Sequence, residues 1–221
     1  MIDEAISRRQ MLGMVLGVNA LVLAGSWNSV GAETLKRTPN QILGPFYPVD
    51  RPPAGITDLV MLPGRAARAQ GQVIHVMGRV LNVDAKPVAG ARVEIWQANT
   101  WGRYRHPSDT NPAPLDPNFD GFAVQVTDAE GRYHFKTIKP AAYPTGPNTM
   151  RPAHIHFEVT GRMDRLVTQM YFAGDSWNDK DPFLQSAGAG KERLIVNLQP
   201  PSPSLEPDSL LAAWDIVVHR G

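Results

Sequence analysis

From Gln72 onward the apolar positions recur every second residue in short runs, and each run stops at turn-forming residues. Gln72 to Asp84 alternates and leads into Ala85-Lys86-Pro87-Val88-Ala89-Gly90, after which Ala91 to Asn99 alternates again. The pattern predicts a hairpin. Phe122, Val124 and Val126 run up to Asp128-Ala129-Glu130-Gly131, and Tyr133 and Phe135 resume the period, which predicts a second hairpin. Further strands are expected over Ala153 to Val159, Arg165 to Phe172, Arg193 to Leu198 and Leu211 to His219, with almost no helical period between them. Many short strands with regular turns argue for an all-β fold, an antiparallel β-sandwich. Pro107 to Asp120 and Gln199 to Ser209, rich in Pro, Ser and Asp, read as long functional loops.

The beginning of the chain carries a different pattern. Arg8 and Arg9 precede an apolar stretch, Met11 to Gly25, and Val30-Gly31-Ala32 supplies the small residues of a cleavage site. The stretch is short for a membrane span, which needs roughly 20 apolar residues. Residues 1–32 are therefore expected to be a twin-arginine signal peptide, with a periplasmic or secreted destination. Residues 33–70, Pro-rich with a few apolar pairs, read as an N-terminal arm on the sandwich, and 71–221 as the sandwich itself. The 221-residue chain contains no cysteine, so any metal must be held by nitrogen and oxygen. A formal net charge of +1 with scattered Lys and Arg gives no reason to expect nucleic acid or an anionic membrane as partner.

The chemistry concentrates in RPAHIHF. On a strand, His154 and His156 point to one face while Ile155 and Phe157 pack the other way. Two imidazoles alone suit zinc, copper, nickel or iron. Tyr104 and Tyr143 lie upstream, and two phenolates would tip the preference toward a small, highly charged ion, with ferric iron the natural candidate. Singly, either tyrosine reads as an ordinary core residue with a satisfied hydroxyl. Tyr133, His134, His75, His106 and His219 read as core or surface residues, and Tyr171 and Phe172 as packing.

The segments VEIWQANTWGRYRH, PLDPNF, GRYHFKTIKPAAYP, RPAHIHFEVTG and LVTQMYFAGD, in this order, resemble the intradiol ring-cleavage dioxygenases. Within that family the likeness is greatest to the iron-bearing β-subunit branch of the protocatechuate 3,4-dioxygenases, and it runs from GPFYP at Gly44 to the closing WDIVVHRG. The resemblance implies Fe(3+) held by Tyr104, Tyr143, His154 and His156, with Tyr143 released when a catechol-type diol binds. It also implies an electrostatic role for Arg151, a pocket-lining role for Gln169, and a substrate mouth at Gly44 and Pro45. The implied partners are a small aromatic diol and dioxygen, within a homo-oligomer or a hetero-oligomer with an α-type subunit. Two departures from the branch stand out: Thr145 replaces an aromatic residue after the KPAAYP run, and the spacing from Tyr143 to Arg151 is short. GRVLNVDAKPVAGARVEI also suits a transthyretin-like binding module without catalysis, and an inactive metal-retaining paralogue is a third reading.

Overall fold

The computed structural model describes residues 34–49 and 55–220, so the expected signal peptide at 1–32 lies outside the described residues. In chain order the elements are β1 (Val73–Asn82), β2 (Arg92–Gln97), β3 (Phe122–Val126), β4 (Arg132–Ile138), β5 (Tyr143–Gly146), β6 (Thr149–Arg151), β7 (His154–Thr160), β8 (Arg165–Phe172), the short helix α1 (Pro182–Ser186), β9 (Ile195–Val196), β10 (Leu210–Ala213) and β11 (Ile216–Val218). Two 3₁₀ segments, Asn178–Lys180 and Gly188–Leu194, flank α1.

Two sheets form the sandwich. In one, β1 pairs antiparallel with β4 and parallel with β10 and then β11; the other has the order β3-β2-β7-β8-β9. Ile74, Val76 and Phe135 from the first sheet meet Ile95, Phe157 and Val159 from the second, and all six side chains are buried. Burying each such side chain contributes about 1.5–3 kcal/mol. A second, smaller apolar cluster collects Trp96, Phe122 and Val124 with Tyr104 and Tyr143. These strand residues alternate with the core-facing ones, so the five-stranded sheet is buried on both faces.

Neither expected hairpin forms. β1 and β2 lie in different sheets, as do β3 and β4. The chain turns back on β1 only briefly, where Val88 N–H donates to the Val80 carbonyl, and by Gly90 and Ala91 it is bonded to Thr127 beside the other sheet. Asp128 to Gly131 makes the reverse crossing, from Val126 opposite Arg92 to Arg132 opposite Arg79. Alternation marks which residues face a core, and that mark is the same for a strand on either side of it. The pairings of β1 with β10 and β11, and of β8 with β9, are parallel rather than antiparallel.

Two strand boundaries also differ from expectation. Arg193 and Leu194 close a 3₁₀ segment, leaving only Ile195–Val196 as strand, and Leu211 to His219 breaks at Trp214-Asp215. At the break the Trp214 carbonyl turns in toward β1 and β4. The Tyr133 hydroxyl donates to the Trp214 carbonyl at 2.5 Å, and a Cβ on Gly78 would meet that carbonyl oxygen at 1.8 Å.

The described arm residues lie across both sheets as extended chain. Leu35, Thr38 and Gln41 donate from their backbone N–H groups to the carbonyls of Val83, Val217 and Val167, and Leu59 and Lys136 hold Asp58 against β4. Leu59, Val60, Leu62 and Ala69 are buried in the main core.

Gly78→Ala is expected to cost about 3 kcal/mol or more, because the new methyl group and the Trp214 carbonyl cannot share the space. A fall in the urea midpoint at unchanged m-value would check this, and an unchanged midpoint would contradict it.

Candidate metal centre

β7 runs between β2 and β8, and this register builds one wall of the site. His156 stands opposite Trp96 on one side and Gln169 on the other, while His154 stands opposite Tyr171. The alternate residues Ile155 and Phe157 belong to the main core, so the two imidazoles project from the outer face of the sheet. Their Nε2 atoms are 3.2 Å apart, and the rings are 1% and 2% exposed. His156 lies flat on Trp96, ring centroids 4.8 Å apart.

Tyr104 reaches the imidazoles from the loop after β2. Asn99 Oδ1 accepts from the N–H groups of Trp101 and Arg103, and Gly102 adopts φ +79°, which turns the chain tightly. The Asp109 carboxylate then accepts from Tyr104 N–H at 2.7 Å. The phenol oxygen of Tyr104 is 3.4 Å from His154 Nε2. Tyr143, the first residue of β5, presents its ring at right angles to that of Tyr104 with centroids 5.6 Å apart. Phe46 of the arm closes on Tyr104 at 4.7 Å between centroids. All four expected ligands thus converge from β7, the loop after β2 and the start of β5.

Burial sets the electrostatics of this cluster. Burial pushes the Tyr104 phenol well above its ordinary range and the Tyr143 phenol upward, and burial together with Arg151 holds both imidazoles well below theirs. His154 Nδ1 lies 2.7 Å from the Pro152 carbonyl, which assigns the proton to Nδ1 and turns the Nε2 lone pair toward its neighbours. His156 Nδ1 is buried without a hydrogen bond of good geometry, beside the Ile42 carbonyl. Two ligand atoms each about 2.1 Å from one ion and at right angles to each other are about 3 Å apart. The separations of 3.2 and 3.4 Å fit that arrangement. Among the described residues no group of three or more His, Cys, Asp or Glu could hold an ion, so the phenols are needed to complete a donor set. Two imidazoles and two phenolates fit a hard trivalent cation better than a soft one.

Arg151, at the end of β6, is gripped on several sides. Its Nε donates to Asp181 Oδ2 at 2.5 Å, its Nη2 donates to Gln169 Oε1 at 2.6 Å and to the Tyr171 hydroxyl at 3.2 Å, and its plane covers the Phe183 ring at 4.6 Å. Asp181 is fully buried, and its other carboxylate oxygen caps α1 by accepting from Leu184 N–H. Gln169 in turn donates to the Ile42 carbonyl at 2.9 Å, linking Arg151 to the arm.

Gly44 and Pro45 occupy different positions. Gly44 adopts φ +79° and lies under His156, where a Cβ would stand 3.1 Å from Cε1. Pro45 lines a cavity of about 770 Å³ that also touches Tyr143, Arg151 and Thr145. Thr145 sits in the irregular β5–β6 hairpin, bonded to Thr149 at 3.1 Å. Sequence reasoning missed Asp181, Asp109, Trp96 and Phe183, and it read Tyr171 as packing although its hydroxyl joins the Arg151 network. Asp181-Pro182 carried a readable signal, since Asp followed by Pro is a helix-start signature.

Residues 42–220 match the profile of a family described as Dioxygenase. The chain is similar to the protocatechuate 3,4-dioxygenase beta chain of Burkholderia cepacia, with 55% identity over 130 residues, covering 57% of this chain and 55% of that one. The hydroxyquinol 1,2-dioxygenase of Rhizobium sp. (strain MTP-10005) is 31% identical over 201 residues, covering 84% of this chain and 62% of the relative. The chain therefore spans little more than half to about three fifths of the length of these curated relatives. Among solved structures, the dioxygenase domain of a carbohydrate-binding fusion protein from Streptomyces sp. SirexAA-E superposes with a TM-score of 0.63 at 28% identity, covering 84% of this chain and all of that domain. Catechol 1,2-dioxygenase from Pseudomonas arvilla C-1 gives 0.64 at 29% identity, over 81% of this chain and 61% of the enzyme. With the profile matched across most of its length, the chain belongs to the intradiol ring-cleavage dioxygenase family.

Proposed function

We propose that the protein is a non-haem iron(III) enzyme that opens the ring of a catechol-type aromatic with dioxygen, yielding a cis,cis-muconate. The observation that carries this reading is the convergence of two phenols and two neutral imidazoles, with His154 Nε2 standing 3.2 Å from His156 Nε2 and 3.4 Å from the Tyr104 oxygen. Tyr104, Tyr143, His154 and His156 would hold the ion. When bound, ferric iron draws electron density from a chelated diol and makes its ring reactive toward dioxygen. A transthyretin-like binding module has no use for such a donor set.

The chain's own residues divide the remaining work. Tyr143 borders the cavity, whereas Tyr104 is sealed behind it, so Tyr143 is the phenolate positioned to take one of the two protons a diol loses on binding. The burial that raises its pKa keeps the resulting phenol neutral. Arg151, held by Asp181 and Gln169, presents a fixed positive charge where negative charge builds up on the substrate ring. Ile42, Pro45 and Phe46 of the arm line the cavity beside Tyr143 and shape the side from which a substrate would approach. Export by the twin-arginine route, which carries folded proteins, agrees with a centre assembled from distant segments. The resemblance to a β chain further supports assembly with an α-type subunit or with copies of itself.

The purified protein should contain iron, show a red-brown phenolate-to-iron absorption, and consume oxygen with protocatechuate, catechol or hydroxyquinol; a colourless, iron-free protein would sink the reading. Tyr104→Phe should weaken iron retention and the visible band, and His156→Ala should abolish both, as metal analysis and absorption spectra would reveal. Arg151→Ala should keep iron and colour yet lose on the order of 10²-fold in kcat. Unchanged kinetics would remove Arg151 from the mechanism.

The metal-free protein should also respond to pH with a defined sign. Folded His154 and His156 titrate well below 6.5, whereas in the unfolded chain they regain the ordinary value of about 6.5. Below that pH the unfolded state binds protons that the native state does not, so their contribution to stability is present above about 6.5 and is lost as pH falls. In chelator-treated protein the urea midpoint should drop between about pH 7 and pH 5, and less steeply in His154→Gln. Parallel curves for the two proteins would contradict the assignment.

A further inference from the structure

The two imidazoles of the metal centre are held in different ways. His154 Nδ1 lies 2.7 Å from the Pro152 carbonyl, the kind of bond that ordinarily fixes the orientation of a ligand imidazole. His156 lacks such an anchor, because its Nδ1 is buried without a hydrogen bond of good geometry. Packing must set its plane instead. The Trp96 indole lies over the ring, with centroids 4.8 Å apart and planes 9° from parallel. Trp96 is not anchored by a bond of its own, since its buried Nε1 has no hydrogen-bond partner among the described residues.

The line of contacts continues into the arm. Tyr47 meets Trp96 edge-on, with centroids 5.0 Å apart and 89° between the rings, and its hydroxyl donates to Glu94 Oε2 at 2.8 Å. Glu94 lies two positions before Trp96 on β2, hence on the same face of the sheet, and is only 4% exposed. Its other oxygen accepts from Arg92 Nε at 2.8 Å. Glu158, opposite Glu94 on β7, is gripped by Arg165 at 2.9 and 2.8 Å. The stack of His156, Trp96 and Tyr47 thus ends in one hydrogen bond to a buried carboxylate, and a charged acceptor makes such a bond stronger than a neutral one does.

We infer that Glu94 is a positioning residue for the metal centre: by fixing the Tyr47 hydroxyl it fixes the Trp96 indole, and by way of Trp96 the plane of the His156 ring. The inference rests on the reading of Tyr104, Tyr143, His154 and His156 as iron ligands and adds a residue that touches none of them. The neighbouring Phe46 rests on Tyr104, so two consecutive arm residues brace opposite sides of the ligand cluster.

Iron release to an excess of chelator tests this on the iron-loaded full chain. Tyr47→Phe and Glu94→Leu should each lose iron about tenfold faster than wild type, the size expected for one hydrogen bond to a charged group, and the double variant should lose it no faster than either single one. Glu94→Gln, which keeps an acceptor oxygen for Tyr47 but not the charge, should fall between wild type and Glu94→Leu. The electron paramagnetic resonance line shape of the ferric ion should change in Tyr47→Phe, because a turned imidazole alters the symmetry around the ion, whereas a mere loss of stability leaves it as it is. In metal-free protein, amide hydrogen exchange over residues 42–49 should quicken in the same variants while β1 and β4 keep the wild-type rate. Wild-type release and line shape in Tyr47→Phe, or losses that add in the double variant, would overturn the role of Glu94 and leave iron binding standing. If Glu94→Leu does not fold, Tyr47→Phe, which removes a single oxygen, decides the matter alone. A wild-type protein that takes up no iron would instead sink the four-ligand reading.

Discussion

The central constraint in this structure is that β7 must satisfy two interiors at once. Ile155, Phe157 and Val159 fill the main core, and His154 and His156 fill a second enclosure on the other face, with β2 and β8 pairing along both edges. A strand so placed has no freedom of register, since a slip of one residue would send imidazoles into the hydrocarbon core and Ile155 and Phe157 into the polar site. The packing that stabilises the sandwich is thereby the device that aims the imidazoles. Trp96, stacked on His156 from β2, extends the same logic by fixing the ring plane as well as the strand.

A second requirement is to keep charge inside a dry enclosure. Arg151 and Asp181 are both buried, and separating two such charges from water is costly unless each retains several partners. Here they do: Gln169, Tyr171 and the face of Phe183 complete the surroundings of Arg151, and Leu184 N–H completes those of Asp181. Since one Asp181 oxygen caps α1 and the other holds Arg151, the short helix and the site share one carboxylate. That sharing explains why a five-residue helix with little propensity of its own persists in a β protein.

How much of this was legible in the chain depends on range. The alternation of His154, Ile155, His156 and Phe157 is local and strong, so the face carrying the imidazoles could be read directly, and β8 begins and ends at Arg165 and Phe172 as expected. The partners of β1 and β2 could not be read, because Val80 and Val93 alternate alike whichever sheet they join. The same limit hid the pairing of Asp181 with Arg151, which lie 30 residues apart in the chain. Tyr171 was misjudged because a strand tyrosine is ordinarily core, and only the register with His154 brings its hydroxyl to Arg151. The convergence of Tyr104 and Tyr143 was foreseen from family motifs, since spacing alone cannot bring residues 39 positions apart to one point.

The arm gives this centre a roof made from a remote part of the chain. Ile42 accepts from Gln169, Gly44 lies against the His156 ring, and Phe46 covers Tyr104. Were an ion held by Tyr104, His154 and His156, its binding and the docking of this segment would be linked, and thermodynamic reciprocity would require each to strengthen the other by the same free energy. An ion gripped by the imidazoles would clamp the arm down, and peeling the arm away would loosen that grip by an equal factor.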